Sequence, residues 1–257
     1  MYPTLELDYN KLLDMVSEMG YRLMKSGAEI YRVEESIQRL LQAYGAPRGE
    51  VFAIPNCLMV SLTSPDGRPV TQIRRMPTHG TDIYLLEKYN GLCRRLCRET
   101  PAFEEALEQM EAITRTHRVY SLPTQLAAHF LGCGMFSLFY GGTPTDGLCG
   151  GLCGMALMTR LGANLFFRTI AGGAASALAA VALTRLGVGQ NQDLIIIGAL
   201  MALVPGIAMT NAMRDIMAGD MVAGISKAAE ALLIGAAIAL GTALALGLTR
   251  MVTGGAL

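Results

Sequence analysis

Charge is almost missing from the second half of this chain, and that limits what the half can become. Residues 121–257 hold 6 basic and 5 acidic side chains, whereas residues 1–120 hold 15 and 16. Glycine is skewed the same way, with 22 of its 29 copies after residue 120. A water-soluble domain needs a polar surface, and a stretch rich in Leu, Ala, Met and Gly with so few charges cannot supply one. Lipid selects that composition instead. The expected fold class is therefore an integral membrane α-helical bundle of about five transmembrane helices over 121–257, preceded by a small cytoplasmic α+β domain over 1–120.

The gaps between charges delimit the spans. The first runs from Leu122 to Tyr140, with only His129 titratable. The second runs from Thr145 to Thr159 and starts beside Asp146. The third lies between Arg168 and Arg185, the fourth between Asp193 and Arg214, and the fifth ends at Arg250 and starts as early as Met221, with Glu230 inside it. With residue 1 inside, the inner loops carry Arg115, Arg118, Arg160, Arg168, Arg214 and Lys227, and the outer ones only Arg185 and Arg250. The excess of inner positive charge favours an inside N-terminus, in a multi-pass protein of the cell membrane. Four spans plus a re-entrant piece near Pro205 is the rival topology. The opening MYPTLELDYNKLLDM has no apolar run of the kind a signal peptide carries, which agrees with that orientation. Small residues four apart, Gly147/Gly151, Gly150/Gly154 and Gly172/Ser176, either let helices approach closely or merely reflect composition.

The first half alternates between two periods. Leu12, Leu13, Val16, Met19 and Leu23 recur at helical spacing, as do Ile30, Val33, Ile37, Leu40 and Leu41, with Ser26-Gly27 between them. Three short antiparallel strands follow near 51–54, 58–62 and 70–74, with Pro55-Asn56 and Pro65-Asp66-Gly67 as turns. Helices over 82–98 and 102–118 close the domain. Its one unusual polar cluster is Arg74-Arg75 with His79-Gly80-Thr81-Asp82. That cluster reads as an anion site at a helix N-terminus or, more simply, as a capped helix with solvated arginines.

Candidate chemistry concentrates in residues 204–220. Pro205-Gly206 breaks a helix where it should cross lipid, and broken backbone at that depth is tolerated only against protein or a water-filled cavity. Transporters use such breaks to aim free backbone groups at solute. Asn211, Arg214, Asp215 and Asp220 bring polar groups close to the break, and ionisable groups in or beside the membrane are functional candidates. An interfacial loop with an Arg214–Asp215 pair is the plainer alternative. Asp146, in Gly141-Gly142-Thr143-Pro144-Thr145-Asp146, is either an exposed turn acid or part of an outer gate. Glu230 either carries protons or sits among lipid head groups.

Several functions are disfavoured. A net charge of zero removes the footprint of a nucleic-acid partner. HExxH, GxSxG, Walker A and helix-opening GxGxxG signatures are all missing, so no cofactor and no ATP-driven step is expected, and the chain does not read as an enzyme. His79, His117 and His129 stand on separate elements. The cysteine pairs Cys93/Cys97 and Cys149/Cys153, each spaced by four, read as packing residues rather than metal ligands.

The run Ser26-Gly27-Ala28-Glu29-Ile30-Tyr31-Arg32-Val33-Glu34, with Ile73-Arg74-Arg75 and Gly80-Thr81, resembles the N-terminal half of the bacterial threonine/serine exporter family. Gly141-Gly142 with Asp146 does so too, as do Pro205-Gly206, Asn211, Arg214-Asp215 and Gly219-Asp220. The resemblance implies a secondary exporter of a small polar solute and adds Glu29, Arg32, Glu34, Arg75, His79 and Thr81 as candidates in the soluble domain. Because the sequence stops at 257, it is similar to the split type whose shorter second membrane subunit is separately encoded, a type linked to succinate as well as to amino acids. The partners so implied are lipid, that second subunit, a small polar solute and, as an open alternative, further copies of the chain. Two other readings stand beside the exporter: a regulatory or scaffold membrane subunit, and a membrane-embedded hydrolase built on Thr81 or Ser26 near His79.

Overall fold

A computed structural model of the chain describes residues 8–64, 67–77, 80–157 and 164–252. The Pro65-Asp66 turn, His79 and the end of the expected second span at Thr159 and Arg160 lie outside the described residues. The chain divides into two compact units, one made of Met1–Arg118 with Met209–Ala228, the other of Val119–Ala208 with Ala229–Leu257.

The first unit starts with α1 (Tyr9–Lys25) and α2 (Ile30–Ala43). Asp8 caps α1 by accepting from the amides of Asn10 and Lys11. The helix stops in a Schellman turn: Gly27, at φ +93°, donates to Met24 O, and Ala28 donates to Leu23 O. A three-stranded antiparallel meander follows, β1 (Glu50–Ile54), β2 (Cys57–Thr63) and β3 (Pro69–Arg75), in the order β1-β2-β3. Val51 pairs with Val60, and Met59 with Ile73. Leu58, Val60 and Leu62 on alternate positions of β2 are buried, the period-two pattern of a sheet with one face on the core. Then come α3 (Ile83–Glu99) and α4 (Phe103–Thr116). The expected helices and strands of this half are all present within a residue or two.

One core unites these elements. Leu12, Met15, Met19, Leu23, Ile37, Leu40, Leu58 and Leu96 are fully buried in it, and Ala223 from the far end of the chain joins them. A polar chain crosses its edge. Arg22 donates to Met110 O and Thr114 Oγ1 at 2.6 Å and pairs with Glu18, which also holds Arg74 of β3 at 2.5 Å.

The second unit contains α5 (Leu122–Phe139), α6 (Pro144–Ala156), α7 (Leu165–Arg185), α8 (Gln192–Leu200) and most of α10 (Met221–Val252). Between α8 and α10 runs α9 (Gly206–Met217). Among the described residues two helices, α7 and α10, are long and apolar enough to cross a membrane. The expected fourth span is interrupted: α8 ends at Leu200, turns occupy the next residues, and α9 begins at Gly206.

The interior of this unit is built from small residues. A Cβ on Gly134 of α5 would stand 2.8 Å from Gly147 O of α6, and one on Gly151 would stand 2.7 Å from Phe130 O. The small-residue spacing on α6 therefore does mark a close helix contact. Gly173 of α7 meets Ile238 O of α10 in the same way, at 2.9 Å.

Candidate functional site

Inside the first unit, two stretches singled out in the sequence, 26–30 and 80–82, meet the later part of a third, 204–220, together with Lys227 beyond it. The C-terminal end of α1 and the start of α2 leave an interhelical loop, Ser26–Glu29. Gly27 is pressed against the second stretch, since a Cβ there would lie 2.8 Å from Gly80 O and 3.1 Å from Thr81 Cα. The Asp82 amide donates to Ser26 O at 3.0 Å, and the Asp82 carboxylate caps α3 through the Leu85 amide at 2.9 Å. Asp82 also faces His117 Nε2 at 3.0 Å. Asp82 thus acts as a helix cap, the plainer of the two readings of that cluster.

Onto this loop α9 lays one face. Asn211, Arg214 and Asp215 fall at i, i+3 and i+4, which places them side by side on a helix. Asn211 Nδ2 donates to Gly27 O at 3.2 Å, and Arg214 Nη1 donates to Glu29 Oε1 at 2.7 Å. Asp215 Oδ1 accepts from the Ile30 amide at 3.0 Å, and its Oδ2 accepts from Lys227 Nζ of α10 at 2.8 Å. Glu29 occupies the N-cap position of α2 without making a side-chain cap bond. Asp215 satisfies an orphan first-turn amide in its place and sets negative charge at the positive end of the helix. Asp215 is 0% exposed, so desolvation would be costly without these two partners. Arg214 is 54% exposed at its side chain and reaches Glu29 from the rim.

The acids around this clamp are tuned in opposite directions. Burial pushes the Glu29 carboxyl up, but its own backbone amide, the Arg214 hydrogen bond and the nearby Arg32 outweigh burial and hold it below the usual range. Burial also raises Glu34, with Asp220 and Asp215 adding to the effect and the Ala53 amide, which donates to Glu34 Oε1 at 2.6 Å, opposing it. Asp220 is raised by burial and then by Asp215, against Lys227. Its amide donates to Asp215 O at 2.8 Å, after Gly219 ends α9 at φ +100°.

The other candidates of this unit stand at the rim of the cluster or outside it. Arg32 is on the exposed side of α2, 3.8 Å from Glu29. Arg75 is exposed on β3, and Thr81 is exposed beside Gly27. Ser26 Oγ donates to Arg22 O at 2.8 Å, so its hydroxyl is engaged in ending α1.

Pro205, Gly206, Asp146 and Glu230 belong to the second unit. Asp146 is not an exposed turn acid: it is 0% exposed and ties two helix starts together. Its Oδ2 accepts from the Thr143 amide and hydroxyl and from Asn191 Nδ2, completing a capping box at α6. Its Oδ1 accepts from the amides of Gln190 at 2.7 Å and Asn191 at 2.9 Å, just ahead of α8. Glu230 is half-buried on α10.

Sequence reasoning missed the role of Lys227 as the partner of Asp215, and of Asn191 and Gln190 as partners of Asp146. A lone lysine in an apolar stretch, twelve residues after a conspicuous aspartate, was the available signal for the first. A polar triplet before the apolar run 194–200 was the signal for the second.

A family model described as "Putative threonine/serine exporter" matches residues 14–249. A "Probable threonine/serine exporter" of Mycobacterium tuberculosis is 28% identical over 249 residues, which cover 94% of this chain and 47% of that protein. The chain therefore spans about half the length of this relative. No solved structure gives a significant match. The matched range runs from within α1 to near the end of α10 and includes the Ser26–Glu29 loop, the buried Asp146 and the α9 clamp, and on that match the chain belongs to the threonine/serine exporter family.

Proposed function

We propose that this chain forms one half of a secondary exporter for small polar amino acids of the threonine and serine class. The observation that carries the reading is the interrupted helix α8–α9 in a chain of this family. At 9 and 12 residues, α8 and α9 extend about 14 and 18 Å, too short to cross a hydrocarbon core alone. We read α8 as a half-span that stops at the Pro205-Gly206 break, because α9 from Met209 onward belongs to the first unit. A helix broken in the membrane turns toward solute the backbone groups that a continuous helix hides. With α5, α6, α7 and α10 this gives about five spans, with the mixed α/β unit on the cytoplasmic side. An ion gradient drives transport, because the sequence carries no nucleotide-binding signature.

Within this reading the polar residues divide into two roles. Pro205 and Gly206 open the path, while Glu29, Asn211, Arg214, Asp215 and Lys227 hold the base of α9 in place. The relative's greater length supports a second membrane half that completes the pathway, supplied on the same polypeptide or, as in the split type, by another. Whether the solute is an amino acid or a dicarboxylate such as succinate is decided by assay.

The test is counterflow of threonine, serine and succinate in proteoliposomes, with the chain alone and with a second-half partner from its own genome. The decisive variant is Pro205→Ala with Gly206→Ala, which mends the helix. A Cβ on Gly206 meets nothing within 4 Å, so this variant introduces no clash. Loss of counterflow with normal insertion supports the role of the break. Unchanged counterflow in the mended variant removes it, and transport of none of the three solutes under either condition removes the exporter assignment.

A further inference from the structure

The first unit has a cleft that the clamp and the transport reading leave unused. It lies between the outer faces of α2 and α3 and has a volume of about 710 Å³, within the roughly 300–1,000 Å³ of small-molecule sites. Four arginines line it: Arg32 and Arg39 from α2, Arg94 and Arg98 from α3. Each pair sits on one helix face, at i, i+7 and i, i+4, so the helices aim both pairs into the same groove.

The two acids of the cleft are already engaged. Glu35 is bound by Arg39 at 2.6 Å, and Glu87 by Lys88 at 3.4 Å. Arg32 shares Glu29 at the long distance of 3.8 Å, while Glu29 is closer to Arg214. Arg94 and Arg98 have no ion-pair partner among the described residues. Like charges one turn apart destabilise a helix, so this arrangement costs stability unless an anion neutralises it. Ile83 and Leu86 form an apolar end to the cleft, and the Asn90 amide lies between them and the arginines.

We propose that this cleft is a binding site for a small organic polyanion, which presents carboxylate or phosphate oxygens to the Arg94 and Arg98 guanidinium groups and sets its carbon body against Ile83 and Leu86. Guanidinium groups offer paired N–H donors that match the oxygens of either group. The site is independent of the exporter reading and stands or falls by binding alone.

Cys97 provides a second readout. Its half-buried thiol lines the cleft and is held below the usual thiol range by its interaction with the Cys93 thiol and by Arg39. It should therefore react with a maleimide near neutral pH.

The experiment titrates the full chain in detergent with citrate and with inorganic pyrophosphate, by calorimetry at low and moderate salt. In parallel, the rate of maleimide labelling of Cys97 is followed in a Cys57→Ser background. At least one anion should bind, protect Cys97, and lose affinity about tenfold or more in Arg94→Gln/Arg98→Gln. Citrate alone would identify a carboxylate ligand, pyrophosphate alone a phosphate ligand, and both the shared chemistry. Both arginines are exposed, so the double variant should keep the fold, and the Cys97 protection assay needs no arginine variant at all. The proposal is overturned if neither anion binds, if binding is equally strong in the double variant, or if bound anion leaves Cys97 labelling unchanged.

Discussion

The two units of this chain bury opposite kinds of side chain. In the first, large residues go inside: Leu12, Met15, Met19, Ile37 and Leu40 are fully buried around α1, α2 and the sheet. In the second, mostly small residues go inside: Cys149, Ala177, Ala180 and Ala199 lie at its centre beside Ile195 and Ile196, and glycines stand at its helix contacts. Large residues there point outward, such as Phe139 at 79% exposure and Leu232 at 71%. The membrane location proposed above for the second unit accounts for this difference. Water drives large apolar groups inward, by about 25 cal/mol for each Å² removed from it. Lipid is as apolar as leucine and gives no such drive, so close backbone approach between small residues holds the helices together instead.

The comparison breaks most readily at Asp215, where the first unit depends on a buried charge. Asp215→Ala would leave Lys227 buried without its partner and the Ile30 amide without its acceptor. The expected loss is about 3–5 kcal/mol, read as a collapse of the first unit's thermal transition. Adding Lys227→Met should restore much of it, because no unpaired charge then remains. If the double variant is no better than the single, the pair is not what stabilises this junction.

Truncating a large side chain should separate the units next. Leu12→Ala in the first should cost about 2–5 kcal/mol by opening a cavity. Leu232→Ala in the second deletes the same atoms from an exposed site on α10 and should cost close to nothing in detergent. Chemical denaturation of the two variants tests this, and equal costs would mean that the outward leucines of α10 are covered by protein.

This contrast also explains what could be read from the sequence. The helices and strands of the first half were legible because water enforces strict periods: Leu12, Val16, Met19 and Leu23 can be buried together only on one helical face. The helix starts of the second half were legible for a different reason, the spacing of its few charges. What could not be read was pairing at long range. Asp215 and Lys227 are twelve residues apart, but Ile30 is 185 residues from Asp215, and no local rule joins them. The break at Pro205-Gly206 was visible because a proline inside a helix removes a backbone donor and clashes with the preceding turn. Which charges share a unit with that break was not, since helix periodicity alone does not say where one unit hands over to the next.

Glycine substitutions sharpen the comparison at a smaller scale. A Cβ on Gly198 of α8 would press on Ser137 Oγ and come within 2.8 Å of Cys133 O, which is backbone and cannot rotate away. Gly198→Ala should therefore cost about 1–3 kcal/mol through overpacking. Gly91 of α3 has nothing within 4 Å of its built Cβ, so Gly91→Ala should gain about 0.5–1 kcal/mol from helix propensity. Opposite signs in the two thermal shifts are the expected result. A harmless Gly198→Ala would mean that α5 and α8 are not in close contact.

The smallest effect concerns pH. Asp220 has its carboxyl raised in the folded chain, by burial and by Asp215. The folded state then binds this proton more tightly than the unfolded chain does. Stability from this group is therefore gained as pH falls through the raised value and is missing at neutral pH. Glu29 has the opposite sign: it is lowered, so its contribution is present above the ordinary carboxylate value of about 4 and is lost as pH falls below that. Asp220→Asn should thus stabilise the protein at pH 7, by about 0.5 kcal/mol after allowance for solvent screening, and by less near pH 5. Glu29→Gln should destabilise it at both values. Thermal transitions of the two variants at the two pH values decide the matter. A gain from Asp220→Asn that is larger near pH 5 than at pH 7 would show that this carboxylate is stabilised, not strained, beside the Asp215–Lys227 pair.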